Sequence, residues 1–230
     1  MKLARNVIIT GGGTGKRMGH ILPKQFHPLN EKPILMHTIQ KFYDFDQYIE
    51  IVVALPWKHI DFWKEQCKIH NFTVPHTIVE GGRTRFHSVK NGLAMLKTSG
   101  LTGIHDAVRP FVSIKTITNC YETAGREDCA VPVVVMQDSL RFLSSERSFC
   151  CKREKYRLVQ TPQVFKTKII KDAYDQEFTE DFTDDSSIVE ATGQQITIVS
   201  GNFENIKITT PLDLIIAEAI LNNELQQRTL

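Results

Sequence analysis

Val7-Ile8-Ile9-Thr10-Gly11-Gly12-Gly13-Thr14-Gly15-Lys16-Arg17-Met18-Gly19 joins a short apolar run to a glycine-rich, basic segment. An apolar run of this length, stopped by glycine, reads as a buried strand. The glycines then let backbone N–H groups approach phosphate oxygens without interference from a Cβ. Neither familiar phosphate fingerprint fits. A Walker A loop needs four residues between its glycines and Ser or Thr after the Lys; Gly11 and Gly15 have three between them, and Arg17 follows Lys16. The dinucleotide pattern G-x-G-x-x-G would place its third glycine one residue before Gly19. The alternative is a tight strand-to-helix connection with no ligand. The basic Lys16, Arg17 and Lys24 behind so many glycines favour phosphate.

Outward from this stretch, short apolar runs alternate with helical stripes, the pattern of a βαβ sheet. Residues 49–55 and 77–80 read as further strands, 103–106 as a strand ending in a polar cluster, and the β-branched run 130–136 as another. Between them, Leu35, Ile39 and Phe42 share one helical face, as do Ile60, Trp63, Cys67 and His70. Phe86, Val89, Leu93 and Leu96 mark a third helix, with Gly100 placed to cap it, and Ile114, Ile117 and Tyr121 a fourth. From Gln137 to Thr161 polar and basic residues dominate, with Leu140, Phe142, Phe149 and Tyr156 as isolated apolar points. This segment, about 137–158, reads as a β-arm that leaves the core and packs on something else, often a second subunit. Beyond it the pattern predicts a helix near 167–176, an acidic stretch 177–185 and a helix over 186–192. Strands at 195–200 and 205–208 follow, then a closing helix over 211–221 with Pro211 at its start. The expected fold is α/β: one Rossmann-like domain over residues 1–230, its mostly parallel sheet flanked by helices, with a protruding β-arm for dimerisation.

The chain's 230 residues suit one α/β domain, and 41% apolar with 23% charged residues supports a core without staples. A net charge of +2 offers no broad field for nucleic acid or an acidic membrane, so neither is an expected partner. An anionic ligand has to be met by a local cluster of cations. Cys67, Cys120, Cys129, Cys150 and Cys151 form no C-x-x-C pair, which argues against a zinc site or a secreted disulfide framework. Val7-Ile8-Ile9 is far short of a signal-peptide core, and no stretch approaches a membrane span. A cytoplasmic location is expected.

Residues 11–25, with Pro23-Lys24-Gln25-Phe26, resemble the N-terminal signature of the 2-C-methyl-D-erythritol 4-phosphate cytidylyltransferase family, roughly A-x-G-x-G-x-R-M-G followed by P-K-Q. Further blocks follow in family order: Gly81-Gly82-x-x-Arg85-x-x-Ser88-Val89, His105-Asp106-Ala107-Val108-Arg109-Pro110 and Thr161-Pro162-Gln163. Thr183-Asp184-Asp185 and Asn205-Ile206-Lys207-Ile208-Thr209 complete them, so the resemblance covers nearly the whole chain. It implies a Rossmann-like sheet and an arm that completes the active site of the dimer mate. It also implies transfer of CMP from CTP to methylerythritol phosphate with release of pyrophosphate, assisted by Mg²⁺.

That chemistry asks for no general base. A phosphate monoester has a second pKa of about 6, so near neutrality the nucleophile is already largely dianionic. The barrier is electrostatic, because two polyanions must be brought in line and the transition-state charge held. By resemblance, Arg17 and Lys24 meet the triphosphate and the transition state together with Lys207. Gly11, Gly12, Gly13, Thr14 and Gly15 hold the nucleotide, and Gly82 and Ser88 sit at the cytosine-reading positions. Arg83 stands among these where some members carry Asp, which leaves side-chain base reading open. Asp106, Arg109, Ser139, Arg153, Thr161 and Lys207 are the implied acceptor contacts, with Ser139 and Arg153 coming from the partner subunit.

Some of these residues have a plainer reading. Arg17 and Lys24 also suit a solvated basic patch, and Lys16 beside Arg17 suits one best. Asp106 ends a strand, where it can hold Mg²⁺, orient acceptor hydroxyls, or cap the turn before Arg109-Pro110. Lys207, read as mid-strand, points away from Ile206 and Ile208, which a solvated sheet face would also explain. The acidic run 177–185 can be read as a metal cluster, but its composition before an apolar segment favours a solvated loop in which Thr183 or Asp184 caps the next helix. Ribitol-5-phosphate cytidylyltransferases share the glycine loop and the last block and are the nearest rival family. A nicotinamide oxidoreductase is disfavoured by the misplaced glycine. An inert binding module gives no reason for Arg17, Lys24, Asp106 and Lys207 to occur together.

Overall fold

Val7, Ile8 and Ile9 are all fully buried, and a strand buried on successive residues needs cover on both faces. In the computed structural model, which describes residues 3–12 and 22–229, helices supply that cover. The chain runs through β1 (Ala4–Thr10), a short hairpin of β2 (Pro28–Leu29) and β3 (Lys32–Pro33), then α1 (Ile34–Phe45) and β4 (Glu50–Leu55). It continues through α2 (Ile60–Ile69), β5 (Thr77–Glu80), α3 (Arg85–Met95), β6 (Gly100–Asp106), α4 (Ile114–Glu127) and β7 (Cys129–Val135). The arm holds β8 (Leu140–Leu143) and β9 (Ser148–Cys151), followed by β10 (Arg157–Val159) and β11 (Gln163–Lys166). Last come α5 (Thr167–Ala173), α6 (Asp185–Glu190), β12 (Thr197–Ser200) and α7 (Pro211–Thr229).

The sheet order is β10-β7-β11-β6-β1-β4-β5, with β12 also on β7. The β6-β1-β4-β5 half and the β12–β7 pair are parallel, while β10 and β11 run antiparallel to their neighbours. This is the mainly parallel, helix-flanked α/β sheet that the alternating pattern predicts. Side chains on β1 part by period two. Val7 and Ile9 pack with Leu35, Ile39 and Phe42 of α1, Trp63 of α2 and Ile117 of α4. Ile8 joins Val89 and Leu93 of α3, Ile170 of α5 and Ile188 of α6 on the other face.

Register decides where a ligand can sit. Thr10 lies opposite Ala54 and Asp106, and Leu55 lies opposite Glu80, so the parallel strands end level. Ligand groups in open α/β sheets gather at that carboxyl edge. The chain stays tied there after each strand stops: Gly11 N–H donates to the Ala54 carbonyl at 2.9 Å, Gly81 N–H to Leu55 at 2.8 Å, and Ala107 N–H to Thr10 at 3.1 Å.

Three expectations need correction. Gly100 is not a helix cap: α3 ends at Met95, and Gly100 opens β6, where a Cβ would lie 2.1 Å from the Ala4 carbonyl oxygen. Residues 205–208 form no strand. Ile208 N–H donates to the Val108 carbonyl at 3.0 Å, a backbone link that helps hold the segment across the sheet end without a ladder. The acidic run is only partly a solvated loop. Asp184 caps α6 as expected, in a reciprocal box with Ser187, but Asp185 is fully buried. The closing helix also runs on to Thr229.

The arm is a hairpin of β8 and β9, paired with each other and apart from the main sheet. Phe142, Leu143 and Phe149 lie exposed on it. All five cysteines are free thiols. Among the described residues no helix is long and apolar enough to cross a membrane.

Candidate active site

A cavity of about 340 Å³ opens at the carboxyl edge, between the ends of β1 and β6 and the start of α3. Thr10, Gly11, Gly12, Lys24, Gly82, Arg83, Arg85, Ser88, Asp106 and Lys207 are among its walls. Four of these side chains are cationic at neutral pH, and Asp106 is the one carboxylate among the described lining residues. The cavity therefore suits an anion larger than one carboxylate can offset.

Its floor is braced from beneath. Buried Gln25 donates through Nε2 to the Gly11 carbonyl at 2.6 Å, tying the Pro23-Lys24-Gln25 turn to the start of the glycine loop. Lys24 is brought to the rim by that tie. Ser88 spends its hydroxyl twice, accepting from Gly82 N–H at 3.1 Å and donating to the Thr84 carbonyl at 2.9 Å. It thus holds the Gly81-Gly82 turn instead of offering a free hydroxyl. A Cβ on Gly82 would meet His87 Cβ at 2.3 Å, so that position tolerates glycine alone. Arg83 is exposed and donates through Nε to His87 Nε2 at 3.3 Å, an unprotonated ring nitrogen in the tautomer this requires.

Asp106 is the hub. Its Oδ2 faces Lys207 Nζ at 3.0 Å and Arg109 Nε at 3.1 Å, and its Oδ1 faces Arg85 Nε at 3.7 Å. Burial would raise its pKa, but Arg85, Lys207 and Arg109 outweigh that and hold the carboxyl well below the usual range. Arg109 also donates to the Asn205 carbonyl at 2.7 Å, which locks the 205–208 segment onto the end of β6.

His105, the neighbour of Asp106, faces the other way into the core, as strand geometry demands. Its Nε2 donates to the Arg109 carbonyl at 3.0 Å, so Nδ1 is the acceptor for the Thr161 hydroxyl at 3.0 Å. The Thr161 oxygen in turn accepts from Asp106 N–H at 3.2 Å. Desolvation lowers the His105 pKa from 6.5 to about 4, with the nearby Arg109 and Arg85 charges assisting against the Arg109 carbonyl and Asp106. The sign follows: the unfolded chain takes up this proton near pH 6.5 and the folded chain only near pH 4, so stability falls as pH drops across that window. This group alone is expected to remove about 3 kcal/mol between those limits in urea unfolding. An imidazole resonance for His105 titrating near pH 6.5 in the native state would contradict the assignment.

The structure brings together Gly11, Gly12, Lys24, Gly82, Arg83, Ser88, Asp106 and Lys207. Arg109 and Thr161 do not line the cavity and act from behind Asp106. Ser139 and Arg153 are exposed on the arm, where Arg153 bonds the Gln137 carbonyl. Gly13, Thr14, Gly15 and Arg17 lie outside the described residues. Arg85 and Gln25 went without a role in the sequence reading although both stand inside quoted blocks. The fixed place of Arg85 after Gly81-Gly82 was the available signal.

The family model for 2-C-methyl-D-erythritol 4-phosphate cytidylyltransferase matches residues 6–223. The chain is similar to the protein of that name from Bacteroides thetaiotaomicron, 51% identical over 219 residues covering 95% of this chain and 100% of the relative. It resembles the crystal structure of 4-diphosphocytidyl-2C-methyl-D-erythritol synthase from Anaerococcus prevotii at TM-score 0.82 and 27% identity, covering 96% of each chain. It resembles that of the Thermus thermophilus 2-C-methyl-D-erythritol 4-phosphate cytidylyltransferase at TM-score 0.76 and 31% identity, covering 96% of this chain and 98% of the other. With its glycine loop, its Asp106 hub and a match along nearly its whole length, the chain belongs to the 2-C-methyl-D-erythritol 4-phosphate cytidylyltransferase family.

Proposed function

We propose that this protein transfers CMP from CTP to 2-C-methyl-D-erythritol 4-phosphate, releasing pyrophosphate and forming 4-diphosphocytidyl-2-C-methyl-D-erythritol. The observation that carries it is the convergence of Lys24, Arg85 and Lys207 with one buried carboxylate at the level ends of β1 and β6. An acceptor phosphate oxygen attacks the α-phosphorus of CTP, the bond to the β-phosphate oxygen breaks, and pyrophosphate leaves. The chain's work is to hold both anions in line and to meet the charge that builds on the transferring phosphorus. Lys24 and Arg17 serve the triphosphate, Lys207 the reacting phosphoryl group, and Gly11 to Gly15 offer backbone N–H groups to phosphate oxygens. Arg83 carries donors only, so its side chain does not accept from the exocyclic amine of cytosine. A backbone carbonyl beside Gly81-Gly82 is left for that task.

Mg²⁺ belongs to this reading as an ion carried by the triphosphate, whose charge it would neutralise. Asp106 fits poorly as its protein ligand, because its carboxylate already faces three cations. Among the described residues no cluster of three or more His, Cys, Asp or Glu could hold a metal. Ser139 and Arg153, away from this chain's cavity, fit a homodimer in which each arm reaches the partner's acceptor site. The exposed Phe142, Leu143 and Phe149 give such an arm something to bury. The same reading places the enzyme in the cytoplasm.

Acceptor competition tests the assignment. With CTP and Mg²⁺ present, kcat/KM for 2-C-methyl-D-erythritol 4-phosphate is expected to exceed that for ribitol 5-phosphate by at least about 100-fold, as a site built to bond particular hydroxyls should. The reverse preference would move the chain to the ribitol-using activity.

A further inference from the structure

Arg85 is one of three cations around Asp106, and behind it lie Asp185 and Tyr174. Asp185 is fully buried, yet both its oxygens are ionically engaged: Arg85 donates from its two terminal nitrogens at 2.7 and 2.6 Å in a parallel fork. The buried Tyr174 hydroxyl donates to the same carboxylate at 2.6 Å. Gln163 braces the mount, donating to Asp184 at 2.7 Å and accepting from Ser186 N–H at 2.8 Å. A carboxylate this deep is tolerated only with full partners, and here it has them.

The fork has a directional consequence. It occupies both terminal nitrogens of Arg85, leaving Nε as the group turned to Asp106 Oδ1 at 3.7 Å. Lys207 and Arg109 share the other oxygen. The cation beside Asp106 Oδ1, and with it the share of the carboxylate left to the Lys207 ammonium, is therefore held in place by Asp185 on the α6 face of the sheet. Burial opposes the charge on Arg85, but Asp185 more than restores it, so the guanidinium is a fixed cation.

We propose that Asp185 is a positioning residue for the transfer reaction, acting through Arg85 on Asp106 and so on Lys207. The inference rests on the cytidylyl-transfer reading. Without the Asp185 carboxylate the guanidinium is released to turn its terminal nitrogens on Asp106, displacing Lys207, while still presenting positive charge to the cavity. Binding of CTP then survives and turnover does not.

Steady-state kinetics on the full chain tests this. Asp185→Asn is expected to lower kcat about 100-fold, the scale of a roughly 1 Å misplacement, with KM for CTP not raised. Arg85→Lys keeps the charge but not the fork, and a comparable loss of kcat is expected. The double variant should be no worse than the worse single, since both break one device. An unchanged kcat in folded Asp185→Asn, additive losses, or kcat and CTP affinity falling together with the thermal midpoint would overturn the proposal. Should Asp185→Asn fail to fold, Tyr174→Phe removes only one hydroxyl. It is then expected to lower kcat about tenfold at constant KM, and no change in kcat would equally overturn the proposal. A wild-type chain that releases no pyrophosphate from CTP and acceptor sinks the functional reading and this inference with it. An active wild type with indifferent variants sinks the inference alone.

Discussion

Lys207→Met is expected to lower kcat by about 100- to 1000-fold, the cost of losing one preorganised charge from a transition state, while KM for CTP stays within about threefold. The segment that carries Lys207 is fixed without it. Ile208 is fully buried among Leu29, Ile34, Val108 and Phe111, its N–H bonds the Val108 carbonyl, and Arg109 holds the Asn205 carbonyl. Methionine keeps the unbranched stem and removes only the ammonium. The Lys207 side chain is 42% exposed, so solvent discounts its ion pair and stability should fall by less than about 1 kcal/mol. A loss seen in KM alone, with kcat retained, would make Lys207 a ground-state binder and the assigned role wrong.

Asp106→Asn should be the most damaging change at the site, because it strikes stability and rate together. The amide leaves Arg85, Arg109 and Lys207 gathered around a neutral group at a position only 6% exposed. Asp185 and the Asn205 carbonyl still satisfy two of those cations, so the expected stability loss is about 3 kcal/mol, the lower end for a broken buried pair. With Lys207 undocked, kcat is expected to fall by at least about 100-fold. The pH dependence has a definite sign. The folded pKa of Asp106 is depressed, so its contribution is complete above the ordinary value of 3.8 and is lost as pH falls below it. Urea unfolding of both proteins at neutral pH and at pH 3 checks this: the gap between them should narrow on acidification.

Much of this was legible in the sequence because the signals were local. The continuous burial of Val7, Ile8 and Ile9, and the stripes of α1 and α3, follow from patterns a short window contains. The cap at Asp184 is likewise set by neighbours. What escaped was non-local. Asp185 sits in a run of acidic and polar residues that reads as solvent-facing, and only the arrival of Arg85, 100 residues away in sequence, makes its burial tolerable. Lys207 was read as mid-strand from its flanking isoleucines. Those isoleucines instead pack under α7, and the ammonium turns inward to the Asp106 carboxylate. Gly100 has the composition of a cap, yet the close pass of the Ala4 backbone is what requires it. Thr161, expected at the acceptor, is spent on His105 and Asp106, a use visible only once β6 and the segment before β11 are side by side.

In the proposed reaction, cations drawn from distant blocks meet one nucleotide tail at the carboxyl edge of the sheet and drive transfer of its CMP to a phosphate acceptor. Pyrophosphate release measured for each of the four nucleoside triphosphates, with and without 2-C-methyl-D-erythritol 4-phosphate, tests it most directly. Release with CTP that depends on the acceptor, and that collapses in Lys207→Met, is the expected result. Release indifferent to the acceptor, or absent with CTP, would contradict it.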